Sequence, residues 1–168
     1  MKEKEVYQVD TGGLRGQLPL TDSQKAQISE YIKLVESGAP SKVGVIRWVD
    51  TFELNTGYNP GWDVLQIGSD IMPAVNPRGK GTQKANDRLT WKSSIAHELV
   101  GHREAALAGN TQLETPLEEA QASIRAARFG PSLSSTERYT LLRDGITRLY
   151  KADLKIRQVK NILHIKSR

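Results

Sequence analysis

The sequence predicts an α+β fold in a single domain of 168 residues, with a small sheet in the first half and helices after it. Two short runs rich in Val and Ile, at 42–49 and 63–67, predict strands because β-branched side chains favour extended backbone. From Asp87 onward the apolar residues recur at helical spacing instead. A chain of this length can bury one core but is too short for several domains.

The elements of the first half follow from local signals. Residues 1–20 contain several Gly and Pro and predict an irregular lead-in. Thr21 and Gln24 form a capping box, so a helix is expected from there to about Gly38. A turn-rich stretch at 55–61 separates the two strands, and a Gly/Pro/Asn-rich loop follows at 73–86. Because loops of this length are usually disordered or functional, we expect this one to contribute to a site.

Three helices are predicted in the second half. The first runs from Asp87 to the Gly-Asn pair at 109–110. The second begins with Thr115 as N-cap, Pro116 at the first position and Glu118 at the third, and it ends at Phe129. The third begins after Ser134, and its apolar stripe predicts one long helix that continues to Ile156.

The composition excludes several classes of protein. The chain has no Cys, which excludes a disulfide framework, a zinc ribbon and a thiol nucleophile. Any metal must therefore be bound by His, Asp and Glu. No apolar run is long enough to cross a bilayer, so no membrane partner is expected. The N-terminus has no apolar stretch of the kind a secretory signal peptide needs, and the compartment stays open.

The net charge of +5 is concentrated at the C-terminus. Residues 138–168 hold nine Lys or Arg against two Asp, whereas the rest of the chain is slightly acidic. Such a segment suggests an alternative function, a non-enzymatic module that docks on nucleic acid or on an acidic partner protein. We favour a solvated helix face and do not expect nucleic acid as a partner, because no aromatic residues are interleaved with the charges.

The strongest chemical signal is the hexapeptide His97-Glu98-Leu99-Val100-Gly101-His102. Two His on one helix can share a metal ion if they lie on one face, as residues four apart do. Here they are five apart, which in a regular α-helix separates them by about 140°. Both reach one ion only if a π-bulge widens the turn. Gly101 is expected to ease that distortion by relaxing the backbone.

The same hexapeptide predicts the chemistry of the site. A hydrolytic zinc takes three protein ligands and keeps one position for water. His97 and His102 supply two, and Glu98 would lie beside the open position as general base. Glu118 and Glu119 on the next helix compete as third ligand. Glu119 is preferred because Glu118 is expected to cap its helix, although Glu118 could instead orient a ligand His.

This hexapeptide resembles the metal motif of the dipeptidyl-peptidase III family, zinc metallopeptidases of the gluzincin type. That family carries its third ligand in a downstream segment that begins Glu-Glu, where the second Glu binds zinc. The segment at 118–123 is similar at both Glu and at Ala122, and it differs at the other three positions. The resemblance covers roughly residues 94–125. It implies Zn²⁺ held by His97, His102 and Glu119 in a compact zincin-like domain.

A second resemblance is to compact zincin-like modules at the C-termini of bacterial polymorphic toxins. It rests on the Ser-Ser-Ile-Ala-His-Glu segment at 93–98, which follows a short sheet. It implies that the chain acts as a toxin or effector domain of a larger secreted bacterial protein. It also implies an acidic immunity or inhibitor protein as partner, which the basic C-terminal helix would contact.

The predicted function is zinc-dependent hydrolysis of peptide bonds in a peptide or protein substrate. Such a reaction needs a donor for the developing oxyanion, and Tyr139 and Arg138 are candidates because their helix could return past the metal. The strand candidate that includes Val64 and Ile67 could form a sheet edge to which an extended substrate adds. An ordinary core strand is an equally good interpretation of it.

Overall fold

The computed structural model describes residues 15–50, 54–79 and 84–168, and it has the α+β architecture that the sequence predicts. The strands are β1 (Val45–Trp48), β2 (Gly57–Asn59) and β3 (Val64–Ile67). The helices are α1 (Asp22–Ser37), α2 (Ala85–Arg88), α3 (Trp91–Ala96), α4 (Glu104–Leu107), α5 (Thr115–Phe129), α6 (Ser135–Lys151) and α7 (Ile156–Val159). A 3-10 turn spans Ser69–Ile71, and a π-helical segment spans His97–Arg103 between α3 and α4.

The predicted capping box at the start of α1 is confirmed. The Thr21 side chain accepts a hydrogen bond from the Gln24 N–H, and the Gln24 side chain accepts one from the Thr21 N–H. These bonds satisfy two N–H groups that the helix itself leaves without partners. Of the predicted lead-in, residues 15–20 are irregular, and residues 1–14 lie outside the described part.

The sheet has the strand order β1–β3–β2, with β3 parallel to β1 and antiparallel to β2. The two predicted strands are present but shorter than expected. The stretch at 55–61, predicted as a turn, contributes the third strand. Of the two interpretations of the strand that includes Val64 and Ile67, the sheet edge is wrong and the ordinary core strand is confirmed, because β3 pairs on both sides. Within the described residues β2 is the outer strand on the side of the π segment, which it contacts.

One face of the sheet packs on the helix that carries the two His. Leu65 and Ile67 of β3 are fully buried and share a core with Ile95 and Leu99. Four residues of α1 complete this core from the other side: Ile28, Tyr31, Ile32 and Val35. Burial of an aliphatic side chain contributes about 1.5–3 kcal/mol, so this layer anchors the base of the candidate site.

The helix predicted from Asp87 is interrupted near its start. The short α2 ends at Arg88, and α3 begins at Trp91 after Thr90, whose side chain accepts a hydrogen bond from the Ser93 N–H. Thr90 therefore caps the helix that continues into the π segment. The predicted end at Gly109 is confirmed, since Gly109 has a φ of +73°, which favours glycine.

The predicted cap of α5 is wrong. Glu114 is the N-cap, Thr115 is the first helical residue, and no side chain of the described residues caps this end. The Glu118 carboxylate accepts a hydrogen bond from the Gln112 N–H instead. Glu118 is therefore free of the capping role on which the preference for Glu119 partly rested.

The predicted last helix is shorter than expected. It ends at Lys151, and Asp153 adopts a φ of +57°, which reverses the chain before α7. The reversal lets Leu163 and Ile165 pack against Ile124 and Leu149 in a second core, which a continuous helix would leave open. Within the described residues, no helix combines the length and apolar character needed to cross a membrane.

Candidate metal centre

The structure brings His97, His102 and Glu119 together. Each offers one ligand atom, and these atoms all lie within 4.8 Å of one another. His97 Nε2 is 3.1 Å from Glu119 Oε2, and His102 Nε2 is 3.4 Å from Glu119 Oε1. The two imidazole rings stand nearly perpendicular, with centroids 4.7 Å apart. The three predicted ligands thus converge on one point.

The convergence depends on the π-helical segment, so the predicted widening of the turn is confirmed. The Glu104 N–H donates to the Leu99 carbonyl five residues earlier, where a regular α-helix would use the fourth. The wider turn lets residues five apart do what residues four apart do in a regular helix. It therefore returns His102 to the side of the helix that His97 occupies.

Gly101 has a packing role in addition to the one predicted. Its φ is not positive, so no special backbone conformation requires glycine here. A Cβ at this position would instead lie 2.4 Å from the Ala122 carbonyl oxygen and 2.6 Å from the Ala122 Cα. Glycine is needed because the π segment packs directly on the backbone of α5. That close approach puts Glu119, one turn before Ala122, within reach of both His.

A buried hydrogen-bond chain determines which nitrogen of His97 faces Glu119. Ser123 Oγ donates to Asp144 Oδ2 at 2.6 Å and lies 2.9 Å from His97 Nδ1. The Ser123 hydroxyl has a single proton, which it uses in the hydrogen bond to Asp144. Ser123 must therefore accept a hydrogen bond from the His97 Nδ1–H. In the neutral imidazole, Nε2 is then the nitrogen with the lone pair, which is the form that a metal ligand needs.

His102 lies between two carboxylates. Its Nδ1 is 3.4 Å from Glu118 Oε1, and its Nε2 faces Glu119. Burial lowers the pKa of His102, but the hydrogen bonds with Glu118 and Glu119 outweigh burial and raise it to about 10. For Glu119, burial raises the pKa, but the hydrogen bonds with both His outweigh it and hold the pKa far below its usual range. Without a cation, a protonated His102 balances this negative charge.

Glu98 lies in the same cavity as the three ligands. This cavity has a volume of about 660 Å³ and is also lined by Tyr58 of β2. Glu98 is half-buried, and burial raises its pKa above the ordinary value even though the charges of His97 and His102 lower it. A carboxyl with a raised pKa suits a group that accepts a proton and later returns it.

The predicted oxyanion donors do not reach this cavity. Tyr139 is 57% exposed, its ring contacts the Arg143 guanidinium, and it is not among the residues that line the cavity. Arg138 donates to the Ala127 carbonyl and is likewise absent from the lining. Their helix does return past the candidate ligands, but the turns that pass them lie one to three turns after Tyr139 along α6. The side chain that α6 contributes is Arg148.

Arg148, Ser123 and Asp144 are the residues of the site that the sequence interpretation missed. Arg148 Nε donates to Asp144 Oδ2 at 2.9 Å, and its Nη1 lies 3.8 Å from Glu119 Oε2. A spacing of four residues links Glu119 to Ser123 and Asp144 to Arg148, which puts each pair on one helix face. These four-residue spacings were the signal in the sequence from which Arg148, Ser123 and Asp144 could have been found.

Arg15 forms part of the cavity wall from the predicted lead-in. All five of its N–H groups donate hydrogen bonds, to four backbone carbonyls of the neighbouring segments and to Ser94 Oγ. Burial lowers its pKa to about 10. From the long loop predicted to contribute to a site, Asn86 lines the cavity, while residues 80–83 lie outside the described part.

The donor set fits zinc. Two imidazole nitrogens and one carboxylate oxygen are a combination found in catalytic zinc sites. Neighbouring ligands of a tetrahedral zinc with bonds of about 2.0–2.1 Å lie roughly 3.3 Å apart. The separations of 3.1 Å and 3.4 Å between Glu119 and the two His are close to that value. The Nδ1 atoms face away from the cluster, on Ser123 and Glu118.

Comparison with known proteins identifies no relative: no family model, curated protein or solved structure matches this chain. The function therefore has to be argued from the site itself.

Proposed function

We propose that this protein is a zinc-dependent peptidase with a zincin-like catalytic centre. The observation that carries the proposal is the convergence of His97, His102 and Glu119 through a π-helical turn, with Glu98 in the same cavity. A structural ion pair would explain one His with one Glu. It would not explain why a strained turn brings two His to one carboxylate beside a cavity of about 660 Å³.

Each residue has a defined role in this reaction. His97, His102 and Glu119 hold Zn²⁺, which would polarise the substrate carbonyl and lower the pKa of the attacking water. Glu98 accepts a proton as the water oxygen bonds to the carbonyl carbon. It then delivers this proton to the amide nitrogen as the C–N bond breaks. Glu118 orients His102, and Ser123 with Asp144 orients His97.

The first test measures the metal. Purified wild-type protein should contain one zinc per chain by elemental analysis. Glu119→Ala should lose it, because the variant removes a ligand. Glu118→Ala should retain zinc with weaker affinity, since loss of an orienting partner typically costs 10–100-fold. A wild-type protein that takes up no stoichiometric zinc would contradict the proposal.

The second test separates metal binding from catalysis. Glu98→Gln should keep one zinc per chain and lose hydrolysis of casein or of a quenched peptide library. The amide has the size of the carboxylate but cannot accept the proton. Glu36→Gln, which changes a Glu far from the cavity, is the matched control and should cleave like the wild type. Cleavage by Glu98→Gln at the wild-type rate would show that the base is misassigned.

A further inference from the structure

The cleft continues beyond the metal ligands. A second cavity of about 370 Å³ lies next to the first, and the two share Asn86, Glu119 and Arg148 in their walls. A substrate whose scissile bond lies at the proposed metal would therefore extend past Arg148 into this space. The side chains there would contact such a substrate within one or two residues of the bond that is cleaved.

The wall of the second cavity has one more basic than acidic side chain, and its basic residues are Arg78, Lys84, Arg148 and Lys151. Its wall includes three carboxylates, and each already has a partner in the described part of the chain. Asp87 accepts three hydrogen bonds from Arg78, two from the guanidinium and one from the backbone N–H. Asp144 accepts from Ser123 and from Arg148 Nε, and Glu119 faces the two His. Lys151 lies one turn after Arg148 on α6, is exposed, and has no ion-pair partner among the described residues.

Arg148 is anchored by one edge only. Nε is held by Asp144, while Nη1 is 3.8 Å from Glu119 Oε2, which is longer than a hydrogen bond. No described residue accepts a hydrogen bond from Nη2. The anchored edge holds the guanidinium plane in place, and the opposite edge keeps donors for an incoming acceptor. A planar pair of N–H donors matches the two oxygens of a carboxylate.

We propose that Arg148, assisted by Lys151, selects substrates that carry a carboxylate one or two residues from the scissile bond. This inference rests on the proposed peptidase function and adds the substrate class. The carboxylate can belong to an Asp or Glu side chain or to the C-terminus of the peptide. Arg148 is a specificity-determining residue here, because it binds the substrate away from the reacting atoms.

The test uses three peptide hydroxamates, which bind zinc through the same group and differ only in the flanking residue or in the C-terminal group. The first carries Glu with a C-terminal amide, the second Gln with the same amide, and the third Gln with a free C-terminus. Dissociation constants are measured by calorimetry on the zinc-loaded full chain. We expect one of the two carboxylate compounds to bind about ten-fold more tightly than the Gln amide, as a charge-assisted hydrogen bond provides. The compound that binds more tightly shows whether the recognised carboxylate belongs to a side chain or to the C-terminus of the peptide.

Variants of residues on α6 test which side chain is responsible for the preference for a carboxylate. Arg148→Gln should abolish it while the Gln amide still binds, and Lys151→Gln, at an exposed position, should reduce it two- to three-fold. Arg143→Gln is the matched control, because Arg143 contacts Tyr139 outside both cavities. Equal binding of all three compounds, or a preference that survives in Arg148→Gln, overturns the inference and leaves the zinc site standing. A zinc-loaded chain that binds none of the hydroxamates overturns the proposed function, and the inference with it.

Discussion

Gly101 packs directly on the backbone of Ala122, so that a Cβ atom would lie 2.4 Å from the Ala122 carbonyl oxygen. This contact joins the π segment to α5 and sets the distance between the two His and Glu119. A side chain here cannot move aside, because the atoms it meets belong to the helix backbone. The contact therefore links the stability of the fold to the geometry of the site.

We predict that Gly101→Ala lowers the free energy of unfolding by about 1–3 kcal/mol and weakens zinc binding. Overpacking a closely packed contact costs energy of that order, and separating the helices moves Glu119 away from the His. Urea unfolding and zinc titration would measure the two effects. Gly57→Ala is the matched control, because a Cβ there meets nothing within 4 Å. Equal effects of the two variants would show that the close contact has no energetic weight.

The hydrogen bond between Ser123 and His97 yields a second prediction. Ser123→Ala should weaken zinc binding about 10–100-fold, because the His97 Nδ1–H loses the acceptor that holds the ring and its tautomer. The measurement is a competition titration of the zinc-loaded protein against a chelator. Ser93→Ala also removes a buried hydroxyl from the helix, but this hydroxyl bonds Thr90 and not a His side chain, so this variant should keep wild-type affinity. If both variants bind zinc equally well, Ser123 does not position His97.

The third prediction concerns pH and the ion pair between Arg103 and Asp63. Arg103 is buried at the end of the π segment, and its Nε donates to Asp63 Oδ1 at 2.7 Å. This hydrogen bond, against a smaller opposing effect of burial, holds the pKa of Asp63 below its ordinary value. A lowered carboxyl pKa in the folded state stabilises the protein above the unfolded-state pKa. This stabilisation is lost as the pH falls through the folded-state pKa.

Asp63→Asn should therefore lower the free energy of unfolding at pH 7 by roughly 2 kcal/mol, the scale of a hydrogen bond to a charged group. The difference from wild type should shrink as the pH falls below about 4, the ordinary carboxyl pKa at which Asp63 of the unfolded chain begins to take up a proton. Asn tolerates the φ of +49° at this position, so the backbone conformation is kept. Urea unfolding between pH 3 and 7 measures this. Asp50→Asn is the control and should have little effect at any pH, because Asp50 forms an exposed ion pair of 3.8 Å. If the effect of Asp63→Asn on the free energy of unfolding does not depend on pH, the ion pair with Arg103 does not lower the pKa of Asp63.

Local patterns in the sequence were enough to predict the architecture and the three side chains that converge at the candidate site. The capping box at Thr21, the strand runs and the spacing of His97 and His102 all act between residues near one another in the chain. The need for a widened turn followed from helix geometry alone, because residues five apart lie on different faces of a regular helix. The resemblances to dipeptidyl-peptidase III and to bacterial toxin modules, with the acidic partner that the latter implies, stay predictions.

Contacts between distant segments were decided by the tertiary structure. Glu118 turns to the Gln112 N–H and to His102 rather than capping its own helix, and β3 lies at the centre of the sheet because residues 57–59 pair with it. Arg148, and not Tyr139 or Arg138, reaches the cavity, because the packing of α6 on α5 determines which turn of the helix passes the metal ligands. The periodicity of a helix shows which residues share a face. Only packing determines which neighbour that face meets.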